Sequence, residues 1–165
     1  EAGTPQAIER VAAWLRALHA TPPPAGLRRV DYLETLLFYC GRLEAARVPR
    51  GLLEAAQDWR AALGEPPRLA LCHHDLHHSN VVDGGAEIRW VDWEYAGLGD
   101  PLMDLAGYVS YQQLDEDQAA ELLAAYGQNG AITPERLRPA RQLFEAVATV
   151  WAEVFSSCGA IKKQS

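Results

Sequence analysis

The chain has 165 residues, 48% of them hydrophobic and 22% charged, with a formal net charge of −7 at neutral pH. That balance fits a folded chain with a real core and excludes a disordered one, and the negative charge argues against a nucleic-acid partner, which demands basic patches. No apolar run approaches the roughly 20 residues of a membrane span, no secretory leader is legible, and Cys40, Cys72 and Cys158 form no C-x-x-C pair, so the expected compartment is a reducing cytoplasm.

Helical spacing of Ile8, Val11, Leu15 and Leu18, behind Thr4 as cap and Pro5 in the first turn, predicts a helix over 4–19, with His19 at its edge. The proline-rich stretch 21–26 is a loop. Asp31 caps a second helix, expected over 32–46 and ended by Pro49, and a third runs over 50–63. Leu69–Leu71 reads as a short strand. Val81-Val82 and Glu87–Val91 form a hairpin around Asp83-Gly84-Gly85. The chain is then irregular to Pro101, and a helix is expected from about Leu102 to Tyr111. Asp115 and Gln118 make a capping box for the next helix. Residues 127–130 turn, and Thr133-Pro134 opens the longest helix, expected to end near Phe155 with a frayed tail from Ser156. The fold class is mainly α with a small β-hairpin, an α+β arrangement in one unit, 1–165. Helical parts over 1–64 and 102–157 flank a segment at 69–106 that carries the chemistry.

That segment contains His73-His74-Asp75-Leu76-His77-His78-Ser79-Asn80, with the spacing H-x-D-x-x-x-x-N, and then Asp92 at the end of an apolar run. The spacing suits phosphoryl transfer. One carboxylate sits beside the attacking hydroxyl, and a neutral carbonyl oxygen one loop further on faces a metal. Magnesium takes oxygen ligands and few carboxylates, so a second acid such as Asp92 completes the set. Four of the five histidines fall at 73–78. Zinc motifs on helices pair histidines at i, i+4 with a glutamate, which is not the pattern here.

The stretch closely resembles the aminoglycoside phosphotransferase and choline kinase family, in particular its choline/ethanolamine and thiamine kinase-like members. The resemblance rests on His73, Asp75, Leu76, His77 and Asn80, on Asp92-Trp93-Glu94-Tyr95-Ala96-Gly97, and on Gly99-Asp100-Pro101 with Asp104-Leu105-Ala106. It implies the C-terminal lobe of a protein kinase-like fold. Asp75 would be the catalytic base, Asn80 and Asp92 the metal ligands, and His73, His77 and Asp104 the supports of the loop. Glu94 would reach a second metal or the substrate. Trp93, Tyr95, Trp151 and Glu153 would line the acceptor pocket, where aromatic faces suit an ammonium group. His74 and His78 depart from the glycine or asparagine and the proline more usual in the family, and are expected to alter access to the site.

The implied activity is transfer of the γ-phosphate of ATP, with Mg2+, to a hydroxyl of a small amine-containing acceptor such as choline, ethanolamine, thiamine or an aminoglycoside. The only lysines are Lys162 and Lys163, and no glycine-rich phosphate loop occurs. The family's N-terminal nucleotide lobe is therefore expected to be absent from this chain and the lobe to be inactive alone. A partner carrying that lobe, or a homodimer over an exposed apolar face, is expected. Two rival readings stand beside this one: a non-catalytic metabolite- or protein-binding module, and a metal-dependent phosphohydrolase.

Overall fold

A computed structural model of the chain describes residues 3–66, 68–84, 87–127 and 132–161, and side chains among these except those of 46 and 157–161. Gly85 of the hairpin turn, residues 128–130 of the later turn, Lys162, Lys163 and the Cys158 side chain lie outside the described residues.

Thr4 opens α1 (Pro5–Ala20) by accepting from the Ala7 amide at 3.3 Å. Its apolar stripe, Ile8, Val11, Ala12, Leu15 and Leu18, is buried and packs on α5 (Glu116–Tyr126), whose capping box of Asp115 and Gln118 forms as expected. Asp31 caps α2 (Tyr32–Cys40) through two amides. This helix stops six residues before the expected end at 46. Gly41, a poor helix former, begins a tightening of the ladder, with i→i+3 bonds Arg42 to Tyr39 and Leu43 to Cys40. A single 3-10 turn, Ala45–Arg47, follows. Gly51 at φ 74° sets the start of α3 (Leu52–Leu63).

Among the described residues, four three-residue strands make two antiparallel pairs where one hairpin was expected. The expected hairpin is β2 (Val81–Asp83) with β3 (Ile88–Trp90). The other pair joins β1 (Ala70–Cys72) to β4 (Gly97–Gly99), a stretch expected to be irregular. Two glycines in three residues hid this strand. They are there for close approach: a Cβ on Gly97 would collide with the Val30 side chain, and one on Gly99 would lie 2.6 Å from His74 Cε1. Segment 28–30 runs beside β4, bonded through Leu98 N–H to Arg28 O (2.8 Å) and Val30 N–H to Leu98 O (3.0 Å).

The Asp100 side chain accepts from the Leu102 amide and starts α4 (Pro101–Tyr111), buried along almost its whole length. The last helix, α6 (Pro134–Ile161), packs on α2, α3 and α4 and runs past the expected end at Phe155. The Ser156 hydroxyl folds back onto the Ala152 carbonyl at 2.7 Å, as serines do inside helices. The core gathers Leu36, Leu102, Leu105, Val109, Leu122 and Leu143, all essentially inaccessible. Among the described residues no helix is long and apolar enough to cross a membrane.

Candidate active site

The loop after β1 hangs from one buried carboxylate. Asp104, on α4 and 1% exposed, accepts from the His73 amide at 2.9 Å through Oδ2 and from the His74 amide at 2.8 Å through Oδ1. Oδ2 also meets His19 Nε2 at 3.1 Å, and His19 Nδ1 meets the Tyr126 hydroxyl at 2.9 Å. Burial alone would raise the Asp104 pKa. The hydrogen bond from His19, the nearby histidines and the His73 amide outweigh it and hold the carboxyl at about 2. Asp104 is therefore a permanent anion that ties α1, α4 and α5 to the loop.

His73 clamps the loop from the other side. Its Nδ1 accepts from the Asp75 amide at 3.3 Å and its Nε2–H donates to the Val91 carbonyl at 3.2 Å. Burial lowers its pKa against the pull of Asp104, which keeps the ring in the neutral form that this donor–acceptor pattern needs. His77 caps the 3-10 turn His78–Asn80, where its Nδ1 meets the Ser79 hydroxyl at 2.6 Å and accepts from the Ser79 amide at 3.3 Å.

Asp75 is thereby presented with both carboxylate oxygens engaged at their edges. Asn80 Nδ2 donates to Oδ2 at 2.6 Å and to the Asp75 carbonyl at 3.1 Å, and the Tyr111 hydroxyl donates to Oδ1 at 3.2 Å. Both amide hydrogens of Asn80 are used, so its Oδ1 is the atom left to face a cation. The Val91 amide donates to the Asn80 carbonyl at 2.9 Å, which sets Asp92 next to Asn80 across the hairpin edge. Asp92 is exposed and takes φ 64°, a left-handed conformation that aspartate tolerates better than most residues. An amide oxygen and a carboxylate are the hard-oxygen donor types that suit a divalent cation such as magnesium.

Asp75 and Asn80 open onto a cavity of about 630 Å³, within the usual size range of small-molecule sites. Its aromatic wall is Tyr32, Tyr39, Tyr95, Tyr111, Phe144 and Trp151. Glu94 lies on it too, as do His74 and His77. Two residues expected in the acceptor pocket are elsewhere. Trp93 turns its ring onto His73, 4.5 Å between centroids, and donates its indole N–H to the Trp90 carbonyl, so it braces the loop from behind. Glu153 points outward from α6 into an ion pair with Arg47.

The histidines do not converge on a metal. Both His73 nitrogens are spent, and His77 Nδ1 is held by Ser79. His74 is buried, with φ 65° and a pKa lowered to about 4, first by burial and then by Arg28 and neighbouring histidines. Deeper down, His19, Cys72 and Asp104 bring donor atoms within 4.8 Å of one another. Burial raises the Cys72 thiol well above its ordinary pKa, and His19 and Asp104 satisfy each other, so that pair reads as a hydrogen-bonded anchor with the thiol beside it. Sequence reasoning left His19 as a helix-edge residue. Its place on the apolar stripe, four residues after Leu15, was the signal that it is buried. The parts played by Tyr32, Tyr39, Phe144 and Arg28 had no local signal.

Comparisons with known proteins bear on the family and the fold. Residues 1–140 match the model of the phosphotransferase enzyme family, APH. Thiamine kinase of Salmonella heidelberg (strain SL476) is 37% identical over 94 residues, 56% of this chain and 33% of the relative. Thiamine kinase of Escherichia coli O17:K52:H18 is 33% identical over 119 residues, 70% of this chain and 42% of the relative. Among solved structures, a choline/ethanolamine kinase family protein from Mesorhizobium loti superposes with a TM-score of 0.78 at 27% identity, over 94% of this chain and 54% of its own. A choline kinase from Streptococcus pneumoniae superposes at 0.81 and 18% identity, over 94% and 57%. The chain thus spans a third to two fifths of these curated relatives and somewhat over half of these solved structures.

Proposed function

Because the chain belongs to the phosphotransferase enzyme family, we propose that it is the helical catalytic lobe of a small-molecule kinase, and that the complete protein moves the γ-phosphoryl group of ATP to a hydroxyl of a small amine-bearing acceptor. The observation that carries this reading is the Asp75 carboxylate, oriented by Asn80 and Tyr111 on the wall of a cavity lined with aromatic rings.

In this reading Asp75 holds the acceptor hydroxyl and takes its proton late in the transfer, where a positioned base contributes about 10²–10⁴-fold. Asn80 and Tyr111 restrict the carboxylate to the orientation that faces the cavity. Asn80 Oδ1 and Asp92 would hold Mg2+, which when bound supplies positive charge to the phosphate oxygens. The rings of Tyr95 and Trp151 offer faces to an ammonium group, worth roughly 0.5–2 kcal/mol each, with Glu94 as its counter-charge. His73, His77 and Asp104 keep the loop in register. The nucleotide needs a lysine and a covering loop that residues 1–161 do not contain, and we infer that these come from a lobe outside the chain. The exposed side chains of Val82, Val91 and Trp93, beside Asp92, are the apolar face such a lobe would cover.

The test is acceptor-dependent ADP release by the complete protein with Mg·ATP and a panel of choline, ethanolamine, thiamine and an aminoglycoside, with products followed by phosphorus NMR. At least one hydroxylated amine should become a phosphate ester. ADP release that no acceptor stimulates would count for a hydrolase, and no turnover with any would count for a non-catalytic module.

A further inference from the structure

The cavity is not lined by acids and aromatics alone. Arg28 and Arg29 also lie on its wall, together with the acids Asp75 and Glu94. The cavity therefore carries two charges of each sign in a protein whose net charge is −7. Both arginines sit on the extended segment bonded to β4, so their backbones are fixed while their side chains remain available.

Neither guanidinium is used up. Arg28 donates one N–H to the Tyr95 carbonyl at 2.9 Å, which stations its fork beside the aromatic wall. Arg29 has Glu65 as its ion-pair partner, at 3.9 Å with both groups well exposed. Glu65 is held more closely by Arg60, at 2.5 Å. An exposed pair at that distance contributes little. A guanidinium has five donors in a fork that matches a carboxylate. A purely cationic acceptor would gain from Asp75 and Glu94 and lose to the two arginines.

We propose that Arg28 and Arg29 form an oxyanion subsite in the acceptor cavity, so that the acceptor carries a carboxylate in addition to its hydroxyl and its ammonium group. The inference rests on the amine-acceptor reading for the ammonium half, while the arginine half stands on its own residues.

Three probes separate the halves. Choline has the hydroxyl and the cation, 3-hydroxybutyrate the hydroxyl and the carboxylate, and L-carnitine all three. Each is titrated calorimetrically into the wild-type protein and into Arg29→Gln, with Arg28→Gln as second variant. L-carnitine should bind at least about tenfold more tightly than choline. Arg29→Gln should erase that advantage, weakening L-carnitine while choline binding is not weakened. Equal affinities for choline and L-carnitine in the wild type would overturn the subsite and leave the amine reading standing. Binding of 3-hydroxybutyrate that Arg29→Gln weakens, without binding of choline, would uphold the subsite and contradict the amine reading. A loss in Arg29→Gln that is the same for all three probes would overturn the subsite, and so would no binding of any probe to the wild type.

Discussion

At the scale of single residues, Asp104 and His74 carry the largest consequences. Asp104, buried at 1% exposure, accepts from two loop amides and a histidine. Removing it orphans buried donors, each costing about 1–3 kcal/mol. Asp104→Ala should therefore lower unfolding free energy by roughly 3–5 kcal/mol in a denaturant titration, and a loss under about 1 kcal/mol would contradict the anchor. His74 makes the fold pH-sensitive. Burial holds its folded pKa at about 4, below the ordinary imidazole value of 6.5. Between those values the unfolded chain binds more protons, so stability is complete above about pH 6.5 and falls as pH drops toward 4. At about 1.4 kcal/mol per tenfold change in proton affinity, the loss attributable to His74 is roughly 3 kcal/mol. His74→Asn keeps a residue that accepts positive φ and removes the titration. Its stability profile from pH 7 to 4.5, by thermal melts, should be flatter than the wild type's. Parallel profiles would mean that the ring is not held neutral.

At the scale of elements, the site depends on glycines as much as on charged groups. β4 passes so near His74 that a Cβ on Gly99 would lie 2.6 Å from Cε1 and 2.7 Å from Nε2 of the ring. Gly99→Ala should push His74 or the strand aside and cost about 1–3 kcal/mol by overpacking, with a matching fall in melting temperature. An unchanged melt would show that the strand has slack. This strand also marks where sequence reading ends. Caps at Thr4, Asp31, Asp100 and Asp115 have local causes and could be read from neighbours along the chain. Gly97-Leu98-Gly99 has no strand propensity of its own. It becomes a strand because β1 and segment 28–30 stand on either side. The early end of α2 at Gly41 follows the same logic in reverse: apolar spacing continued to Leu43, but local backbone preference decided.

At the scale of the molecule, the loop from His73 to Asn80 and the acid at Asp92 were legible because their chemistry is written at fixed spacing. The cavity they face was not. Its walls come from α2, α6 and segment 28–30, more than 30 residues away from the loop on one side and more than 60 on the other. Long-range packing decides which of the available aromatics line it. Trp151 and Tyr95 reach the cavity, whereas Trp93 braces His73 and Glu153 joins Arg47 at the surface. The His19–Asp104 bond, between residues 85 apart in sequence, belongs to the same class of facts.

The measurement that bears most directly on the account is the rate of γ-phosphoryl transfer by the complete protein carrying Asp75→Asn, with far-UV circular dichroism as a check on folding. Asparagine keeps the size of the side chain and can still meet Asn80 and Tyr111, but it cannot take the proton. The account predicts a fall of at least about 10²-fold in kcat with the spectrum unchanged. Transfer at the wild-type rate by a folded Asp75→Asn protein would contradict it.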